Sequence, residues 1–281
     1  MSSTTTATAV SPDSGEHWSA AGAWPVAPGL FRVPLPLPMD GLKAVNVYVM
    51  VADDGLTLVD GGWAVTEGRS ALEAGLRQIG AGFGDIRRFL VTHVHRDHYT
   101  LASVLGEEVG AHVSLGSGER GTLEQIRTRA GFFGVSTGAQ LRLAGAPELA
   151  AKVEGLPMPP PDLREWRLPD AWLDGEVRID VAGRRLAGVP TPGHTRGHYV
   201  FADEEAGLLF AGDHVLPTIT PSIGFEPEVA SSPLGDFLTR WRGCGRCRIS
   251  ACCRPMARSV SRPMSGSTRC SPITRSGWRP P

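Results

Sequence analysis

The stretch Thr92-His93-Val94-His95-Arg96-Asp97-His98 places four potential metal-ligating side chains within six residues, directly after Ile86-Arg87-Arg88-Phe89-Leu90-Val91. That stretch, which ends in three consecutive apolar residues, is read as a buried strand, and α/β folds place their sites at the C-terminal ends of strands. In an extended segment His93 and His95, two apart, project to the same side, while Asp97 and His98 begin the next element and project from another direction. Imidazole nitrogens combined with carboxylates suit Zn2+, one or two ions, with Fe2+ or Mn2+ as alternatives.

Downstream, the chain carries Thr191-Pro192-Gly193-His194-Thr195-Arg196-Gly197-His198 and Phe210-Ala211-Gly212-Asp213-His214. Taken alone, each is as compatible with a polar loop as with a ligand. Coupled to the first cluster, His194 and Asp213 become candidate ligands. His198 and His214 stand beside them as supporting or packing residues.

Around these motifs the pattern is regular. Short β-rich runs at Leu30–Val33, Ala44–Val51 and Leu56–Asp60 predict an opening antiparallel meander with an Asp-Asp-Gly turn. Apolar residues at helical spacing predict a helix over about Val65–Ile79, stopped by Gly80 and Gly82. Further helices are expected near Leu101–Val109 and Ser117–Ala130, with a strand at Ala111–Leu115 between them. Residues 131–172 are looser, with Leu156-Pro157-Met158-Pro159-Pro160-Pro161 and a short helix near Pro147–Val153, and read as an insertion or lid. Its Phe132, Phe133, Trp166 and Trp172 are candidates for lining an apolar pocket, or for plain core packing. Strands resume at Glu176–Val181, Arg185–Pro190, Tyr199–Ala202 and Gly207–Ala211. The expected organisation is a disordered segment over residues 1–24, a catalytic domain over 25–240 and an aberrant, disordered tail over 241–281.

The ordered set HxHxDH, TPGHTxGH and GDH resembles the metallo-β-lactamase superfamily, in particular its glyoxalase II-like branch, over roughly residues 28–240. The resemblance implies an α/β fold, the four-layer αβ/βα sandwich, with metals at the cleft between two halves. It implies that His93, His95 and His194 hold one metal, that Asp97 and His98 hold a second, and that Asp213 bridges the two. Asp60, in Leu58-Val59-Asp60-Gly61-Gly62, matches a carboxylate that orients the ligand loop. The implied chemistry is hydrolysis of an ester, thioester or related acyl bond in a small metabolite by a metal-activated water, with Asp97 orienting that water. A rival reading is an iron oxidoreductase of the persulfide dioxygenase type, for which His93, His194 and Asp213 would suffice. A third is an inactive remnant.

Composition sets bounds. A net charge of -1 offers no basic surplus for nucleic acid or an anionic membrane, and no apolar run approaches the roughly 20 residues of a membrane helix. A small-molecule substrate is the expected partner. The N-terminus lacks a secretory pattern, and all five cysteines follow Gly243, so the body suits a reduced compartment and a cytoplasmic location is expected.

The tail departs from the family. A dinuclear member needs one more histidine after the bridging aspartate, and none follows His214. From Gly243 the chain is dominated by Arg, Ser, Pro and Cys, with no acidic residue after Asp236. Pro255-Met256, written CCN-ATG, hides Ala-His-Gly in the adjacent reading frame of a GC-rich gene. A frameshift near Trp241–Cys244 is therefore expected, leaving one complete metal site and a damaged second one.

Overall fold

In the computed structural model the described residues are 18–38, 42–128, 132–156, 160–216, 219–224, 226, 228 and 230–244. The meander forms as β1 (Trp24–Ala27), β2 (Leu30–Pro36), β3 (Ala44–Ala52) and β4 (Gly55–Val59), all antiparallel. Ala52 pairs with Gly55, so Asp53-Asp54 is a two-residue hairpin turn, closed by Gly55 at φ 133°. From β4 onward the strands run parallel, and each parallel step needs a crossover. Helix α1 (Thr66–Gln78) leads to β5 (Ile86–Leu90), α2 (Arg96–Val109) to β6 (His112–Gly116), and α3 (Arg120–Thr128), α4 (Phe132–Leu143) and α5 (Pro147–Glu154) to β7 (Ala171–Leu173). The seven strands form one sheet in chain order.

The second sheet is antiparallel, ordered β11 (Leu208–Phe210), β10 (Tyr199–Asp203), β9 (Arg184–Pro190) and β8 (Val177–Val181). Helix α6 (Pro233–Cys244) follows.

Strand β3 shows why the layers stack. From Val47 to Met50 its successive side chains are buried on both faces, as a strand between layers requires. Val45, Val47 and Val49 face a cluster with Leu72 and Leu76 of α1, Leu101 and Leu105 of α2, and Leu123 and Ile126 of α3. Tyr48 and Met50 face the other way, joining Leu30, Val59 and Leu90 against Leu186, Tyr199, Phe201 and Phe210 of the second sheet. The fold is thus α/β, two face-to-face sheets with helices, as the αβ/βα sandwich requires.

Several boundaries differ from those expected. Helix α2 begins at Arg96 rather than Leu101, because the ligand motif itself forms the first turn. Residues 18–24 are not free. The Arg32 guanidinium donates to the Trp18 carbonyl, and the Trp24 indole donates to the Ala20 carbonyl at 2.9 Å. The 131–172 segment carries α4 and α5 and ends in β7 of the first sheet. Trp166 is core, stacked 6.5 Å from Tyr99, and Trp172 lies under the Arg120 guanidinium, so both pack the domain. The side chains of Phe132 and Phe133, and residues 245–281 of the expected tail, lie outside the described set, while residues 241–244 continue α6.

Candidate metal centre

The first ligand loop leaves β5 under tight backbone control. The Thr92 N–H donates to Asp60 Oδ1 at 2.8 Å, and the Thr92 carbonyl accepts the Tyr199 N–H at 2.7 Å, joining the two sheets at the start of the motif. His95 is the N-terminal cap of α2 with extended φ/ψ and no side-chain capping bond, so its ring is left for other work. Asp97 follows in the first turn, where the helix dipole favours a carboxylate. Asp60 itself adopts φ 63°, a strained conformation for a non-glycine residue of the kind that concentrates at functional sites. The Gly61 N–H donates to the His98 carbonyl at 2.9 Å, locking this turn onto α2.

The second half supplies two loops. In the first, the Thr191 N–H donates to the His198 carbonyl at 2.7 Å, closing a tight loop with His194 at its tip. In the second, Asp213 lies on a short 3-10 turn, Gly212–His214, after β11. Gly212 is required there: at φ 47° a Cβ would stand 2.6 Å from Thr92 Oγ1 and 2.9 Å from His198 Nε2.

These loops converge. His95 Nδ1 lies 3.1 Å from His93 Nε2 and 3.0 Å from His194 Nε2, and His194 Nε2 lies 3.3 Å from Asp213 Oδ2. One donor atom from each of His93, His95, His194 and Asp213 falls within 4.8 Å of all the others. Tetrahedral ligands about 2.0–2.1 Å from an ion would be about 3.4 Å apart, so the spacing is that of a coordination shell. The other Asp213 oxygen, Oδ1, lies 3.3 Å from His98 Nε2, which is 3.5 Å from Asp97 Oδ2. Asp213 therefore faces both groups, as a bridging carboxylate would.

The hydrogen bonds fix which nitrogens carry lone pairs. His194 Nδ1 can only donate to the Ser222 carbonyl, at 2.7 Å, which leaves Nε2 to the centre. His98 Nδ1 donates to Asp60 Oδ2 at 2.9 Å in the same way. Thr92 spends its hydroxyl proton on Asp60 Oδ1, so His93 Nδ1 donates to Thr92 Oγ1 at 3.1 Å and again frees Nε2. Asp60 thus orients two rings, one directly and one through Thr92. The donor set fits a divalent cation: converging lone pairs and carboxylates, held at ligand spacing by outer hydrogen bonds.

Electrostatics agree for His93 and His95. Burial pushes His93 well below the ordinary imidazole value and His95 down to about 3, with neighbouring histidines adding to both shifts, so both rings are neutral. Burial opposes charge on His98 as well, but Asp60, Asp97 and Asp213 outweigh it and hold that ring well above its ordinary value, so without an ion it favours the protonated form, and an ion would have to displace the Nε2 proton. Burial would also raise Asp213, yet the His98, His194 and His93 rings around it hold it well below the usual carboxylate range. Burial raises Asp97.

His198 lies outside the donor set. Its Nδ1 bonds Thr191 Oγ1 at 2.8 Å, and its ring stacks on His93 at 4.9 Å, backing that ring. His214 packs 4.9 Å from Phe237. Two contributors escaped the sequence reading. Ser222 acts through its backbone carbonyl, which leaves no side-chain signal. Glu119 is fully buried between the ligand loops, and the glycines around it in Leu115-Gly116-Ser117-Gly118-Glu119 were the available sign of a close backbone approach.

Comparisons with known proteins point the same way. The sequence model of the family described as Metallo-beta-lactamase superfamily matches residues 40–243. The chain is 27% identical to the probable metallo-hydrolase YqjP of Bacillus subtilis (strain 168) over 216 residues, covering 73% of this chain and 64% of that protein, so it spans less than two thirds of that relative's length. A metallo-beta-lactamase family protein from Thermus thermophilus superposes with a TM-score of 0.65 at 34% identity, covering 78% of this chain and 70% of that one. A beta-lactamase domain protein from Burkholderia ambifaria gives 0.62 at 25% identity, covering 84% and 70%. With its paired sheets and a histidine–aspartate centre at their junction, the chain belongs to the metallo-beta-lactamase superfamily.

Proposed function

We propose that this protein is a divalent-metal hydrolase of an ester, thioester or related acyl bond in a small metabolite, close in chemistry to the glyoxalase II-like branch, with Zn2+ as its ion. One observation carries the reading: four side chains from both halves of the fold bring donor atoms within 4.8 Å of one another. His93, His95, His194 and Asp213 would hold one ion, and Asp97 and His98, with the free oxygen of Asp213, part of a second site. Fe2+ and Mn2+ suit the same donors.

Once bound, such an ion polarises an acyl oxygen and lowers the pKa of a coordinated water to about 7. The protein's own part is positional. Asp97 faces the centre from the first turn of α2 and accepts a hydrogen bond from the attacking water, holding its lone pair toward the carbonyl carbon. Asp60 keeps His98 Nδ1 protonated and Nε2 directed inward, and His198 supports His93. No side-chain nucleophile is required.

The oxidoreductase alternative needs only His93, His194 and Asp213. His95 sits 3.0 Å from His194 within the same group, so three histidines converge and the hydrolase reading is favoured. We also place the protein in the cytoplasm, in keeping with its cysteine-free body; no helix among the described residues is long and apolar enough to cross a membrane. The test is a panel of chromogenic esters and thioesters with zinc-loaded protein, beside oxygen uptake with iron-loaded protein. Zinc-dependent hydrolysis that disappears in Asp97→Ala supports the proposal; oxygen uptake without hydrolysis overturns it.

A further inference from the structure

Glu119 ends a 3-10 turn, Ser117–Glu119, between β6 and α3, and is completely buried. A buried carboxyl is costly unless its oxygens are engaged. Its Oε1 accepts the Val94 N–H at 3.4 Å and the Thr195 hydroxyl. Val94 stands between His93 and His95, and Thr195 follows His194. One carboxyl therefore grips the ligand loop of each half.

The backbone is shaped to let it do so. A Cβ on Gly118 would stand 2.6 Å from the Arg196 carbonyl oxygen, and one on Gly197 would stand 2.4 Å from the Glu119 nitrogen. Glycines on both sides bring the chains into contact, so the Glu119 carboxyl reaches both loops at once.

We propose that Glu119 is a positioning residue that fixes the first-half and second-half ligand loops relative to each other, so that the His93, His95 and His194 nitrogens are preset at ligand spacing. The inference rests on the reading of those histidines as ligands. What the clamp requires is the Oε1 acceptor, which a glutamine supplies equally well. Burial pushes the Glu119 carboxyl up to about 8, consistent with a neutral acid doing this work.

Zinc affinity of the full chain, measured by chelator competition, tests it, with circular dichroism verifying the fold. Glu119→Ala should bind zinc about 10- to 100-fold more weakly, the scale seen when groups behind metal ligands are removed, while Glu119→Gln should stay within a few-fold of the native chain. An equal loss in both variants overturns the proposal, because general disruption of the core would then explain it. Should Glu119→Ala fail to fold, Thr195→Val removes one donor to the clamp; a loss of about ten-fold is expected, and native affinity overturns the proposal. If the native chain binds no zinc, the ligand reading and this inference fall together. If it binds zinc and a folded Glu119→Ala binds equally well, only the clamp falls.

Discussion

Asp60 and His98 stand 2.9 Å apart, carboxylate Oδ2 to imidazole Nδ1, and both side chains are almost fully shielded from solvent. The same carboxylate accepts from the Thr92 N–H and hydroxyl. An asparagine at this position has one acceptor oxygen and cannot serve both sides. Asp60→Asn should therefore weaken zinc binding about 10- to 100-fold, measured by chelator competition, and lower stability by roughly 1–3 kcal/mol in denaturant melts through the buried partner left unsatisfied. An unchanged affinity would falsify the orienting role.

Metal content is the next prediction. One group has four donors, while the second has Asp97, His98 and a shared Asp213 oxygen. Elemental analysis of the purified chain should give about one tightly held ion. We further propose a frameshift near Trp241–Cys244; the family match ends at residue 243. A gene restored to the frame that encodes Ala-His-Gly at Pro255-Met256 should yield about two ions per chain. A stop codon in that frame, or two ions in the chain as it stands, would contradict the idea.

Stability should depend on pH through Glu119. Burial raises its folded carboxyl from 4.5 to about 8, so between those values the folded state holds a proton that the unfolded state has released. By linkage, this contribution is present below the unfolded value and is lost as pH rises toward 8. The depressed histidines act in the opposite sense, which is why the comparison must be made against a variant. Metal-free native protein should lose at least about 1 kcal/mol more than Glu119→Gln between pH 5 and pH 8.5. Parallel curves from urea melts would count against it.

The seam between the halves makes a steric prediction. A Cβ on Gly116 would stand 2.0 Å from the Gly197 carbonyl oxygen, whereas one on Gly84 would meet nothing within 4 Å. Gly116→Ala should cost roughly 1–3 kcal/mol and loosen zinc binding, and Gly84→Ala should do neither.

Some of this was legible in the sequence and some was not, for physical reasons. The apolar residues Phe89-Leu90-Val91 leading into His93 announced β5, because buried parallel strands are rich in apolar side chains. The start of α2 was misplaced because His95 caps it without the usual Ser, Thr, Asp or Asn signal. Helix α4 was hidden by its glycines and β-branched residues, which have low intrinsic propensity. The division into two sheets follows from long-range pairing, to which local periodicity is blind. Glu119 resembled any surface glutamate, because part of what buries it, the loop of Thr195, lies 76 residues downstream.

His95 and His194 are 99 residues apart in the chain, yet their ring nitrogens stand 3.0 Å apart. An ion held between them would act as a cross-link in a body that has no cysteine before Cys244. Tying off a loop of about 100 residues removes up to about 4.7 kcal/mol of conformational freedom from the unfolded chain in the simple entropic account. The ion would then brace the fold as a disulfide does in secreted proteins, and its removal would shorten the lifetime of the protein against proteases as well as silence its chemistry.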